Sequence, residues 1–236
     1  MSISTKSQGP VENRLLASLP DEVFDRLLPH LQRVSFALGD VVYESSERMD
    51  SLYFPTTCIV SLLYTMTDGA TAEMGLVGND GVVGIALFMG GNTVPNRAVA
   101  QVAGDAFSVP APVLLEEFRR GGQCQLLLLR YTQALITQIS QTAVCNRLHS
   151  VEQRLCRWLL LTHDRAQSAE LMLTQEFIAN MLGGRREGVT NAARALQRRN
   201  LISYVRGRIT ILNRPGLEAG SCGCYEIVKL DVLAKS

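Results

Sequence analysis

The sequence predicts an α+β chain in three parts: a β-rich unit, one long helix, and a C-terminal helix-turn-helix with a trailing β-hairpin. Three observations carry this. Short β-branched and aromatic runs separated by Gly, Asp and Asn turns fill residues 33–110. Helical periodicity then holds from about Gln123 to His149. Finally, LTQEFIANMLGGRREGVTNAARAL (173–196) reads as two short amphipathic helices pinched apart at Gly183-Gly184.

Taken in chain order, Leu15, Leu16, Leu19, Val23, Leu27, Leu28 and Leu31 recur at helical spacing, and Pro20-Asp21-Glu22 suits a second helix start. Runs such as Val41-Val42-Tyr43, Leu52-Tyr53-Phe54, Ile59 to Tyr64 and Ala98 to Val102 then predict a compact antiparallel sandwich or barrel. A short helix around 112–120 closes at Gly121-Gly122. On the long helix, Leu128, Thr132, Leu135, Ile136, Ile139, Ala143 and Asn146 project onto one stripe, opposite Arg130, Gln133, Thr137 and Gln141. Such a stripe suits burial against the chain's own β unit or against a second copy, and its length favours a parallel homodimer, in which polar seam residues fix register. Ser150-Val151-Glu152-Gln153 is a capping box, so a new helix and a new domain begin at His149-Ser150.

Composition narrows the function classes. The 236 residues are 47% hydrophobic and 19% charged, as in a globular chain, and no apolar run approaches the roughly 20 residues of a membrane span. The start, MSISTKSQGPVENR, lacks the apolar stretch of a secretory signal. Six scattered cysteines (Cys58, Cys124, Cys145, Cys156, Cys222, Cys224) form no C-x-x-C pair, so a reducing cytoplasm is expected. Cys222-Gly-Cys224 reads as two ordinary C-terminal cysteines, and no metal site or cofactor is expected. No catalytic residue is expected either: a metal-dependent β-barrel enzyme needs clustered histidines, and His30, His149 and His163 all lie outside 33–110.

Net charge is only +1, yet Arg185 to Arg214 holds eight arginines, no lysine and one acid, Glu187. That segment is +7 and the rest of the chain therefore −6, which points to a polyanion partner at one end. In the second helix of the pair, Val189, Ala193 and Leu196 form the buried face, while Arg185, Arg186, Glu187, Thr190, Asn191 and Arg194 face outward. This geometry sets side chains into a DNA major groove, where Arg pairs with guanine, Glu accepts from cytosine and Asn pairs with adenine. Leu201 to Val205, then Arg206-Gly207-Arg208, then Ile209 to Leu212 form a hairpin whose basic tip suits backbone phosphate.

From about Leu15 to Leu217 the chain resembles the bacterial cyclic-AMP receptor protein/FNR (Crp/Fnr) family, most closely in LTQEFIANMLGGRREGVTNAARALQRRNLI. The resemblance implies an N-terminal cyclic-nucleotide-binding-like β-roll sensor (11–122), a dimerisation helix (123–149), a winged helix-turn-helix (150–217) and a C-terminal tail (218–236). It implies a homodimeric transcription regulator on inverted-repeat double-stranded DNA, with RNA polymerase as a further partner and no membrane. The family's Arg-Glu recognition pair falls on Arg186-Glu187, and its next base-contacting arginine falls on Asn191, which implies a different target sequence. The family's effector contacts map to Arg97, with Ile139 and Ser140 on the long helix. In GNDGVVGIALFMGGNTVPNRAVAQV, however, no carboxylate follows Gly84 and Ala98 follows Arg97, so cyclic AMP is not expected to be held in the usual way. The family's iron–sulfur form needs cysteines near the N-terminus, and the first here is Cys58. The alternative is a cyclic-nucleotide-type module acting on a protein partner, which leaves the arginine-rich segment without a purpose.

Overall fold

The computed structural model describes residues 9–166 and 170–229. After a 3-10 turn at Pro10–Glu12, helices α1 (Arg14–Ala17) and α2 (Asp21–Leu27) pack on a roll of seven strands. These are β1 (Gln32–Phe36), β2 (Val41–Tyr43), β3 (Ser51–Pro55), β4 (Ile59–Thr65), β5 (Thr71–Val77), β6 (Arg97–Val102) and β7 (Gly104–Pro110). They form two antiparallel sheets, ordered β1-β7-β3 and β2-β6-β4-β5. Leu52, Phe54, Val60, Leu62, Val77 and Val109 fill the space between them, together with Leu15, Leu16 and Leu27 from the helices. Asn13 is fully buried yet satisfied: Oδ1 accepts from Leu16 N–H, and Nδ2 donates to the carbonyls of Pro55 and Gly81.

Helix α3 (Ala111–Arg120) leads into α4 (Gly122–Leu148), and the break falls at Gly121 and Gly122, both left-handed at φ 79° and 69°. The C-terminal unit follows as α5 (Val151–Arg165), β8 (Glu170–Met172), α6 (Gln175–Met181), α7 (Arg186–Arg198), β9 (Ile202–Val205), β10 (Arg208–Ile211), α8 (Arg214–Gly220) and α9 (Cys224–Lys229). The Ser150–Gln153 capping box is present in both directions. The hairpin gains a third strand, in the order β8-β10-β9, which the sequence reading did not contain. Nor is the segment past Leu217 an appendage. Tyr225 is fully buried, with its hydroxyl donating to Asp164 and accepting from Arg214, so α9 belongs to the C-terminal core. Of the stretch assigned to the tail, residues 230–236 lie outside those described.

One expectation needs correction. The single stripe projected on α4 is divided between two faces. Leu128, Thr132 and Leu135 are buried within the chain, whereas Ile136, Ala143 and Asn146 are exposed. The buried face runs Cys124, Leu128, Tyr131, Leu135, Gln138, Thr142, Cys145 at alternating three- and four-residue steps, with Thr132 beside it, and Gln138 and Thr142 are polar residues on that line. Both are paired: Gln138 Oε1 accepts from Leu76 N–H, its Nε2 donates to Leu76 C=O, and the Thr142 hydroxyl donates to Gln138 C=O. Hydropathy alone misplaces them. A second apolar face, with Leu126, Leu129, Ile136, Val144 and Leu148, is left exposed.

The two units meet across β5. Its Glu73 carboxyl is buried and accepts from the Trp158 indole N–H on α5 (3.0 Å), while Ser61 Oγ lies 2.7 Å from Glu73 and 2.5 Å from Gln101 Oε1. Gln101 Nε2 in turn donates to Thr162 on α5. A single Ser61 proton cannot serve both neighbours; a protonated Glu73 donating to Ser61, which donates to Gln101, satisfies the chain of bonds. Burial raises the Glu73 pKa from 4.5 to about 7, against the opposing effects of Ser61, Trp158, Arg157 and Arg165. The folded state thus holds this proton more tightly than the unfolded chain does. Its contribution to stability is complete below pH 4.5 and disappears as pH rises through about 7. Thermal unfolding from pH 5 to pH 8 should show this loss, and Glu73→Gln, which keeps the shape, should flatten it. Subtracting the two profiles removes His163, whose pKa is depressed by burial and by Arg214 and whose contribution runs with the opposite sign.

Candidate nucleic-acid interface and sensor cavity

The helix pair is built by local rules. The Thr174 hydroxyl caps α6 by accepting from Phe177 N–H (3.1 Å). At its far end Gly183, at φ 56°, closes a Schellman turn in which Gly184 N–H donates to Ala179 C=O and Gly183 N–H to Asn180 C=O. That turn redirects the chain into α7, whose buried side is Val189, Ala192, Ala193 and Leu196. Alanine at two of these four positions lets α7 lie close against α5 and α6. Its opposite side exposes Arg186, Glu187, Asn191 and Arg194, with Arg185 exposed at the residue before the helix. Thr190 is only half exposed; its hydroxyl reaches Gln175 on α6 and the Arg186 carbonyl, so it braces the two helices.

Between α7 and the wing lies an open groove of about 350 Å³, walled by Gln175, Arg186, Arg194, Gln197, Tyr204 and Arg206. Gln175, Gln197 and Tyr204 had no mark in the sequence beyond being polar or amphipathic. Tyr204 is anchored by donating its hydroxyl proton to Leu173 C=O. The wing tip is a two-residue turn with Arg206 at φ 50° and Gly207 at φ 78°, the pattern of a type I′ hairpin. A left-handed arginine is disfavoured, and this one lies on the groove wall.

Ion pairing divides the arginines of this segment. Arg199 pairs with Glu152, Arg208 with Glu170, and Arg214 with Asp164 and Glu218. Arg185, Arg186, Arg194, Arg198 and Arg206 have no ion pair among the described residues. Cations left without carboxylates on one side of a domain favour a polyanion; of the paired three, Arg214 is the least exposed, while Arg199 and Arg208 are in pairs open to solvent that add little to the fold.

The sensor roll contains a second cavity, about 270 Å³, walled by Met49, Leu62, Met74, Val77, Val83 and Ile85, with Leu135 and Ile139 from α4. Its polar groups are the Tyr43 hydroxyl and the Asn96 amide, and these bond each other at 2.7 Å. Ile139 lines this space. Ser140 is exposed on α4 and Arg97 is absent from the wall, its guanidinium being paired with Glu44 at 3.0 Å. The arginine that the resemblance assigns to a cyclic phosphate therefore already has a carboxylate, and the cavity beside it is apolar.

A β-roll with an internal cavity, joined through a long helix to a winged helix-turn-helix, defines the class of sensor-coupled DNA-binding proteins. The cyclic nucleotide-binding domain family matches residues 33–120, and the Crp-like helix-turn-helix domain family matches residues 153–219. With both domains in this order, the chain belongs to the Crp/Fnr family of transcription regulators. No curated protein sequence matches it. Among solved structures it is similar to FixK2 from Bradyrhizobium japonicum, with a TM-score of 0.71 and 18% identity over 82% of this chain and 98% of that one. It is also similar to a Crp/Fnr-family regulator from Eubacterium rectale, at TM-score 0.69 and 18% identity over 89% and 98% of the two chains. A third likeness is CLP of Xanthomonas campestris, described as a c-di-GMP-responsive global regulator, at TM-score 0.64 and 15% identity over 81% and 99%. At these identities the likeness is one of fold.

Two substitutions separate the roles within the groove. Arg186→Ala should cost about 1–3 kcal/mol on the best duplex and relax base choice at one position; equal losses on all sequences would reduce Arg186 to a phosphate contact. Arg206→Asn should leave the fold intact, since Asn tolerates the left-handed turn. It should lower affinity evenly across sequences and reduce the salt slope by about one.

Proposed function

We propose that the chain is a homodimeric, sequence-specific DNA-binding regulator whose sensor cavity takes an uncharged, mainly apolar effector in place of a cyclic nucleotide. The observation that carries the DNA reading is the set of five arginines without ion pairs on α7, at its ends and at the wing tip. Arg186, Glu187 and Asn191 read base edges, Arg194 and Arg206 flank the groove, and Arg185 and Arg198 meet phosphate. A module that docked only on a protein would need neither the exposed arginines nor the wing. Among the described residues no helix is long and apolar enough to cross a membrane.

The second copy is supported by the exposed face of α4, where Leu126, Leu129 and Ile136 lie at steps of three and seven, as along a heptad seam. In a dimer that reads the groove, the two α7 helices should lie about 34 Å apart, one turn of duplex, on an inverted-repeat site. The double substitution Leu129→Glu/Ile136→Glu should give a folded monomer by sedimentation and abolish cooperative binding to a two-half-site duplex. A variant that stays dimeric would place the seam elsewhere.

The effector reading rests on the cavity wall. An anion entering it would lose hydration without finding a cation, because Arg97 is held by Glu44. Calorimetric titration of cyclic AMP, with Arg97→Ala as control, should give no heat at millimolar ligand. Micromolar binding abolished by Arg97→Ala would overturn this part of the proposal while leaving the DNA reading in place.

A further inference from the structure

Apart from the groove and the sensor cavity, one cluster of ligand-type side chains stands out. Cys145 lies on the last turn of α4 and His149 one turn later at its C-cap, where His149 N–H donates to Cys145 C=O and holds the two side chains on one side of the helix. Cys222 and Cys224 come from the loop between α8 and the start of α9, which packs against this end of α4. The Sγ atoms of Cys145 and Cys222 are 3.5 Å apart, and Sγ of Cys224 is 3.7 Å from His149 Nδ1. All four ligand atoms lie within 4.8 Å of one another; the three cysteines are buried and the histidine half-buried.

These distances have a chemical meaning. The cysteine sulfurs are well beyond the S–S bond length of about 2.05 Å. Tetrahedral Zn–S bonds of about 2.3 Å set sulfur–sulfur edges of about 3.8 Å, with sulfur–nitrogen edges slightly shorter. Three thiols and one imidazole from two segments far apart in sequence are thus held at the separations of a single coordination sphere. We propose that Cys145, His149, Cys222 and Cys224 form a closed Cys3His site for Zn2+, which ties the loop before α9 to the C-terminal end of α4, where the chain passes into α5. Four protein ligands leave no open position, so the site is structural. On loading, three thiol protons leave, the imidazole coordinates as the neutral base, and the site gains a net charge of −1, with no change in oxidation state.

An independent feature suits that charge. Arg157 on α5 is 4% exposed; its Nη2 donates to Thr142 one turn before Cys145, while its Nε and Nη1 have no partner. Its charge acts on Cys145 and Cys224 from one side and on Glu73 from the other. A buried guanidinium with two unpaired nitrogens is costly beside neutral thiols and well placed beside an anionic metal–thiolate centre.

The site does not depend on what α7 binds, and its test is spectroscopic. The full chain is purified under reducing conditions, stripped with a chelator and titrated with Co2+, then with Zn2+. One Co2+ per chain should bind with sulfur-to-metal charge transfer and the intense visible bands of a tetrahedral thiolate centre, and Zn2+ should bleach them. Zinc should also raise the thermal midpoint and protect the three cysteines from a thiol reagent. Cys222→Ser/Cys224→Ser should lower Co2+ affinity by more than about 100-fold. If that variant fails to fold, the wild-type spectrum decides alone. An octahedral spectrum, no uptake, equal uptake by the folded variant, or a Cys145–Cys222 disulfide formed in place of metal binding overturns the proposal. Tetrahedral binding without any rise in the midpoint overturns the clamping role.

Discussion

The exposed edge of β5 is the constraint around which the molecule is arranged. As the last strand of its sheet, β5 leaves backbone groups that must find partners or invite another chain. Gln138 meets this need as a side-chain imitation of a strand, giving Leu76 both a donor and an acceptor. Beside it, Trp158 and the far end of α6 cover the same strand, with Gly183, just past that helix, close enough that an added Cβ would touch Ala72. One edge strand thereby fixes the long helix and the C-terminal unit together. The side chains at its inner end, Met74 and Val77, also line the sensor cavity. An occupant pressing on that wall acts on the strand that positions the helix pair.

Much of this was legible in the sequence because it rests on local chemistry. Glycine pairs marked the breaks before α4 and α7, a capping box marked α5, and arginines without acids marked the face of α7. The parts that were not legible depend on partners distant in the chain. Gln138 and Thr142 look like surface residues until Leu76 is placed beside them, so the α4 stripe was drawn across two faces. Glu170 belongs to a three-residue strand too short to show alternation, and only that strand explains why Arg208 is partly neutralised. The cysteines are the extreme case. Spacing along the chain reveals Cys222 and Cys224 as a pair, but Cys145 and His149 join them only through the packing of α9 on α4.

Electrostatics also divides residues that composition had grouped. Eight arginines make the segment basic, yet Arg199, Arg208 and Arg214 have carboxylate partners, whereas the other five have no ion pair among the described residues. Arg214 is the clearest structural member: its guanidinium joins Asp164, Glu218 and Tyr225, and so fastens α8 and α9 to α5. Arg97 shows the same logic in the sensor. The Arg97 guanidinium lies 3.0 Å from Glu44, so an incoming anion would compete with a carboxylate already in place.

Helix α4 brings these strands of argument to one element. Its middle, Leu135 and Ile139, forms part of the cavity wall; its outward face offers a seam; and its final turn carries Cys145 and His149 beside the hinge into α5. A helix cannot slide at one of these places without moving the others, since its backbone bonds make it stiff over its 27 residues. Cavity, seam and hinge are therefore mechanically in series. The packing of Tyr225 and the thiol cluster both bear on the last turn of α4, where the chain passes into α5. The C-terminal helix packs on both α4 and α5 where they meet, and Tyr225, buried beyond the wing and bonded to Asp164, anchors it there.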